Sequence, residues 1–131
     1  MISYSNGKFI PTEKVAIPIA NDYLGFKCGY RIFTSSTTIK HKFFRIDDHI
    51  DRLVTSAKDI NMDLSFSSNE LSILIKETIS KNNNIKDDFI IFIFLSGGSP
   101  EPLTLKPNGP AHLYIIVNPL VLPPTEWYEN G

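Results

Sequence analysis

The sequence predicts an α+β fold, a two-layer sandwich in which a mostly antiparallel sheet carries two helices packed on one face. Three observations lead there. Strand-like segments open and close the chain, with two amphipathic helical segments between them. An Asn6-Gly7 pair between β-prone residues marks a tight hairpin near the start. A continuous apolar run, Phe89 to Leu95, is too short for most helices and fits a central strand covered by helices.

Taken in order, Tyr4 to Ile10 reads as the hairpin, because Asn-Gly accepts the positive φ angles of a two-residue turn, and Pro11 ends its second strand. Thr12 to Gly29 mixes Pro18, Asn21-Asp22 and two glycines, which predicts an irregular connection. Tyr30 to Ser35 and Thr38 to Ile46 are rich in β-branched and aromatic residues, and the Ser/Thr link between them predicts a second hairpin. A helix follows over Asp47 to Ile60, capped by Asp47 or Asp48, with Ile50, Leu53, Val54, Ala57 and Ile60 as its buried face.

The second helix opens on a capping box, Ser67 with Glu70, and continues through Leu71, Leu74, Ile75, Thr78 and Ile79 to the Asn82-Asn83-Asn84 stop. His112 to Val117 is the expected neighbour of the central strand. Between those strands, Gly97 to Pro110 is a long Pro/Gly-rich loop of the kind that often serves function, with the reach to touch another subunit. Pro119, Pro123 and Pro124, followed by Thr125 to Gly131, read as an extended connector with no closing element. The expected division is therefore a domain over 1–118 and a connector over 119–131.

The composition narrows the function classes. A chain of 131 residues, 42% hydrophobic and 21% charged, fits one ordinary globular domain. A net charge of −1, with 13 scattered basic residues, argues against a nucleic-acid binder. No apolar run approaches the ~20 residues a membrane helix needs. The single cysteine, Cys28, cannot form an intrachain disulfide and the start lacks signal-peptide features, so a cytoplasmic setting is expected.

The most informative stretch is Phe43 to Lys58. At ~100° per residue, His49, Arg52 and Ser56 share one edge of the helix, next to its buried face, where an anion can be held. Arg52 has two readings on spacing alone: an ion pair with Asp48 four residues earlier, or a phosphate site that uses its planar fork of donors. His49 either donates a hydrogen bond or anchors the helix start. Neither a Cys/His cluster nor a paired-histidine motif is present, so no metal is expected. Gly97-Gly98-Ser99 lacks the Gly-Lys-Ser/Thr ending of a phosphate loop and reads as a turn. Cys28 has no paired histidine and reads as packing rather than as a nucleophile.

Together, Tyr4 to Pro11, Phe26 to Phe33, and Phe44 to Leu53 with Ser56-Ala57 resemble the N-terminal small domain of the class IV aminotransferases. These are fold-type IV pyridoxal-phosphate enzymes, including branched-chain and D-amino-acid aminotransferases and aminodeoxychorismate lyase. His49-Ile50-Asp51-Arg52-Leu53 is the most specific part of the match. The resemblance implies that Arg52 binds the phosphate of pyridoxal 5'-phosphate and that Cys28, Tyr30, Phe33 and Thr34 lie toward the substrate pocket. It also implies amino-group transfer between an amino acid and a 2-oxo acid, and a homodimer.

Three departures accompany it. Where the family has Tyr-Gly-Asp-Gly, an apolar residue, an aromatic and Glu, this chain has Cys28-Gly29-Tyr30-Arg31-Ile32-Phe33-Thr34, so Arg31 and Thr34 replace Gly and Glu. The arginine that commonly follows this strand is absent, its place falling near Thr37. The Schiff-base lysine of the family belongs to the larger C-terminal domain and has no counterpart here; Lys106 is not assigned that role. The expectation is a chain truncated before that lysine, with no catalytic residue of its own and inactive alone. An aminodeoxychorismate lyase-like member and a non-catalytic, self-associating α+β module are the alternatives.

Overall fold

The computed structural model describes residues 1–84 and 86–130. Strand β1 (Ile2–Ser5) turns through Asn6 and Gly7, both at positive φ, into β2 (Lys8–Pro11). Their register is Ile2 against Pro11 through Ser5 against Lys8, as the Asn-Gly turn dictates.

The stretch 12–29 is more ordered than its mixed signals suggest. Short 3-10 turns at Thr12–Lys14 and Ile19–Asn21 lead into α1 (Tyr23–Cys28). The buried Asp22 carboxylate accepts from the Ser96 hydroxyl at 2.6 Å and from the Gly98 N–H at 3.0 Å, while the Leu24 N–H donates to the Gly98 carbonyl. Long-range bonds thus hold a helix that local propensity would not form. Only glycine fits at position 25, because a Cβ there would lie 1.9 Å from the Ser96 Oγ.

A single long strand, β3 (Arg31–Ile39), replaces the expected break at Ser36-Thr37, and the turn falls at Lys40-His41 before the two-residue β4 (Lys42–Phe43). Lys40 and His41 take φ of 52° and 60° without a glycine. Asp88 makes this possible: its carboxylate accepts from the Thr38 hydroxyl (2.8 Å) and from the N–H groups of Lys40 (3.0 Å) and His41 (2.8 Å).

Helix α2 (Ile46–Asp59) buries Ile50, Leu53 and Ala57. Val54 is only half-buried and Ile60 is exposed beyond the helix end, so the apolar face is narrower than its periodicity implies. Neither acidic residue caps it. Arg45 holds the cap position in the left-handed region at φ 52°, and Asp47 and Asp48 lie in the first turn, where they favour the helix dipole. Helix α3 (Ser68–Ser80) has the expected reciprocal capping box of Ser67 and Glu70 and buries Leu71, Ile75, Thr78 and Ile79, leaving Leu74 partly buried.

Strands β5 (Phe89–Ser96) and β6 (His112–Pro119) complete a six-stranded sheet of order β2-β1-β6-β5-β3-β4, antiparallel at every pairing. Phe89, Ile91, Ile93 and Leu95 alternate into the core with Leu113, Ile115 and Val117, under α2 and α3. Their neighbours Ile90, Phe92, Phe94 and Ile116 point to the other face and remain half-exposed. After β6 the connector is not wholly extended, since Thr125–Asn130 forms a short helix, α4. Among the described residues no helix is long and apolar enough to cross a membrane.

Candidate functional site

Strand β3 is the spine of the site. Residues 31–37 pair with β5 on one side, and β4 covers only Thr38 and Ile39 on the other, so the middle of β3 faces open space beside α2. Pleating sends Thr34 and Ser36 toward the helix and Arg31, Phe33 and Ser35 away from it. A cleft of about 550 Å³ lies along this edge, lined by Arg31 to Ser35 of the strand and Arg52, Leu53 and Ser56 of α2. Its volume suits a small-molecule ligand.

The anion edge expected on α2 is partly here. Arg52 and Ser56 line the cleft. The Arg52 Nη2 donates to the Thr34 Oγ1 at 2.6 Å, and that oxygen lies 3.0 Å from the His49 Nδ1. An arginine can only donate, so Thr34 accepts from Arg52, and its hydroxyl also shares a hydrogen bond with the His49 nitrogen. His49 does not line this cleft; with Phe44 it lines two adjoining ones, the first of which Arg52 also borders, together with Arg45 and Asp48. Its role is to share a hydrogen bond with the residue that holds Arg52.

The ion pair between Arg52 and Asp48 does not form. Asp48 pairs instead with Arg45, whose left-handed backbone turns its side chain back onto the first turn of α2. Among the described residues no carboxylate pairs with Arg52. Its charge and most of its donors are left to the cleft.

The other candidates divide between two clefts. Phe33, 64% exposed, and the buried Thr34 stand with Arg52. Cys28 and Tyr30 line a neighbouring, more apolar cleft of about 410 Å³ with Leu24, Ile60 and Leu105. Arg31 and Ile32 belong to both. Cys28 is exposed at the end of α1, so it is not the packing residue expected from its surroundings in sequence. The Tyr30 hydroxyl donates to the Asn61 carbonyl at 2.9 Å, and burial raises its pKa. Lys106 is exposed and paired with Glu101 at 3.0 Å. Among the described residues no three His, Cys, Asp or Glu side chains gather as a metal site needs.

Sequence reasoning passed over Arg31 as a site residue, treating it only as a departure. Its Nε donates to the Gly25 carbonyl at 2.8 Å, its Nη2 reaches the same oxygen, and its guanidinium lies 5.8 Å from the Phe94 ring centre. The signal was present in the alternation of β3, which places Arg31 and Phe33 on one face.

The family model described as amino-transferase class IV matches residues 31–130. A putative branched-chain-amino-acid aminotransferase of Methanocaldococcus jannaschii is 26% identical over 89% of this chain and 40% of its own length. A D-alanine aminotransferase of Bacillus licheniformis is 32% identical over 87% of this chain and 41% of its own. Among solved structures, the branched-chain aminotransferase of Thermoproteus uzoniensis with norvaline superposes with a TM-score of 0.78 at 25% identity, covering 92% of this chain and 41% of that one. The chain spans about 40% of the length of these two relatives.

Proposed function

The chain belongs to the class IV aminotransferases, and from that premise we propose that it supplies the phosphate-holding part of a pyridoxal 5'-phosphate enzyme. The reaction would exchange an amino group between an amino acid and a 2-oxo acid. One observation carries this reading: Arg52 is fixed by Thr34, has no carboxylate partner among the described residues and borders a ligand-sized cleft. The donors fit the group. An exposed guanidinium with a half-buried hydroxyl one helical turn away, Ser56, offers charge-assisted bonds to phosphate oxygens.

When bound, the cofactor supplies the electron sink for the chemistry at the amino acid's α-carbon. This chain's own residues bind and orient it. Arg52 takes the phosphate, Thr34 holds Arg52 and is itself bonded to His49, and Phe33 offers an apolar wall on the opposite side of β3. No residue of the chain is assigned the amine that would bond the cofactor.

Arg52→Gln in the purified protein tests the reading. Affinity for pyridoxamine 5'-phosphate, measured by fluorescence titration, should fall by about tenfold or more, the weight of a charge-assisted contact. Unchanged affinity would return Arg52 to a surface role.

A second reading, a non-catalytic module that self-associates, is favoured by the exposed Phe33 beside the half-exposed Phe92 and Phe94 on the face without α2 and α3. Homodimerisation accompanies either reading. The two differ in phosphate affinity, which only the enzyme reading requires.

A further inference from the structure

We propose that Arg31 is the carboxylate anchor of the same cleft, so that the site holds two anions at once: a phosphate on Arg52 and the carboxylate of an amino acid or 2-oxo acid on Arg31. The assignment rests on the phosphate reading of Arg52. Both arginines line the one cleft along the open edge of β3, from opposite faces of the sheet. Arg31 leaves the strand on the same face as Phe33, whereas Arg52 comes from α2 and is held by Thr34.

The side chain is exposed yet already placed. The Gly25 carbonyl accepts from its Nε and Nη2, and the Phe94 ring supports the guanidinium plane. Those bonds use one side of a fork that has five N–H donors, leaving the Nη1 pair and the outer Nη2 hydrogen. Among the described residues no carboxylate neutralises the group. An arginine ordered before its ligand arrives loses less rotamer freedom on binding, and its planar donors match a carboxylate's two oxygens.

Both arginines border the same cleft of about 550 Å³, a volume that admits a ligand carrying two anionic groups. Arg31 stands where the resembling family has glycine, in a chain that lacks the arginine usual near Thr37. Arg31 is the one arginine that β3 itself carries, and it borders both clefts.

Two probes separate the anions: pyridoxamine 5'-phosphate, which carries the phosphate, and N-(5'-phosphopyridoxyl)-alanine, which adds the carboxylate. Titrated against the purified protein by calorimetry, the alanine adduct should bind about tenfold more tightly. Arg31→Gln should abolish that advantage while leaving the affinity for pyridoxamine 5'-phosphate within twofold, and Arg31→Lys should restore part of it. Melts followed by circular dichroism check that each variant remains folded. Equal affinity of the two probes for the unaltered protein, or an advantage that survives Arg31→Gln, overturns the assignment. If Arg52→Gln leaves both affinities unchanged, it is the phosphate reading that fails.

Discussion

Arg45 decides what Arg52 can do. A left-handed backbone angle is unfavourable for a residue with a Cβ, by about 1 kcal/mol or more, yet Arg45 adopts it at the start of α2 and takes the Asp48 carboxylate. The nearest acidic competitor for Arg52 on its own helix is thereby occupied. Thr34 then fixes the freed guanidinium, so Thr34→Val should loosen it without changing the shape of the core, whereas Thr34→Ser should retain the bond. Phosphate affinity is expected to fall severalfold in the valine variant and to remain near that of the unaltered protein in the serine variant, as read by titration with inorganic phosphate. Loss in both would point to packing rather than to the hydroxyl. At this scale helical spacing set Arg52 and Ser56 on one edge of α2, and both line the cleft, but it could not tell which partner each charge would choose. That choice depends on β3, which is distant in sequence.

The β3–β4 hairpin shows how an element can be built without local turn chemistry. Lys40 and His41 carry a Cβ, which makes positive φ costly, and Asp88 compensates by accepting both of their N–H groups and the Thr38 hydroxyl. The His41 N–H, with the Thr38 hydroxyl next, holds the Asp88 pKa below the ordinary carboxylate range. Its folded value is thus lower than its unfolded one. The stabilisation is present at neutral pH, above the unfolded pKa, and disappears as pH falls through the depressed folded value. Asp88→Asn should therefore lower the urea midpoint at pH 7, by a deficit that shrinks as the pH is lowered through the acid range. A deficit that does not change with pH would refute a role for the charge. The turn was placed wrongly in the sequence because its determinant lies 47 residues away. By contrast, the Asn6-Gly7 turn and the Ser67/Glu70 cap were legible, since each carries its chemistry within four residues.

Across the whole molecule, the two layers are tied by a few polar residues within an apolar core. Asn82, 1% exposed, accepts from the Ile2 N–H at 2.7 Å and donates to the carbonyls of Ile2 and Thr78 at 2.9 Å, joining the first strand to the end of α3. Asn82→Ala would leave buried backbone groups unpaired and should cost about 1–3 kcal/mol, seen as a lower urea midpoint with an unchanged slope. A change in slope would indicate that the strand had detached instead. The class of fold was legible because helical period marks the two helices, while turn chemistry and the short length of the Phe89 to Leu95 run mark the strands. The helix α1 was not, because its contacts to Ser96 and Gly98 close a loop of more than seventy residues. The Asp88 clasp has a similar reach, with a consequence for the order in which the chain assembles. A peptide limited to β3 and β4 has no reason to bend at Lys40-His41, so this hairpin is a late event that waits for β5 to arrive in register. The free outer edge of β3, and the cleft along it, can therefore acquire their final form only after the long-range part of the sheet has closed.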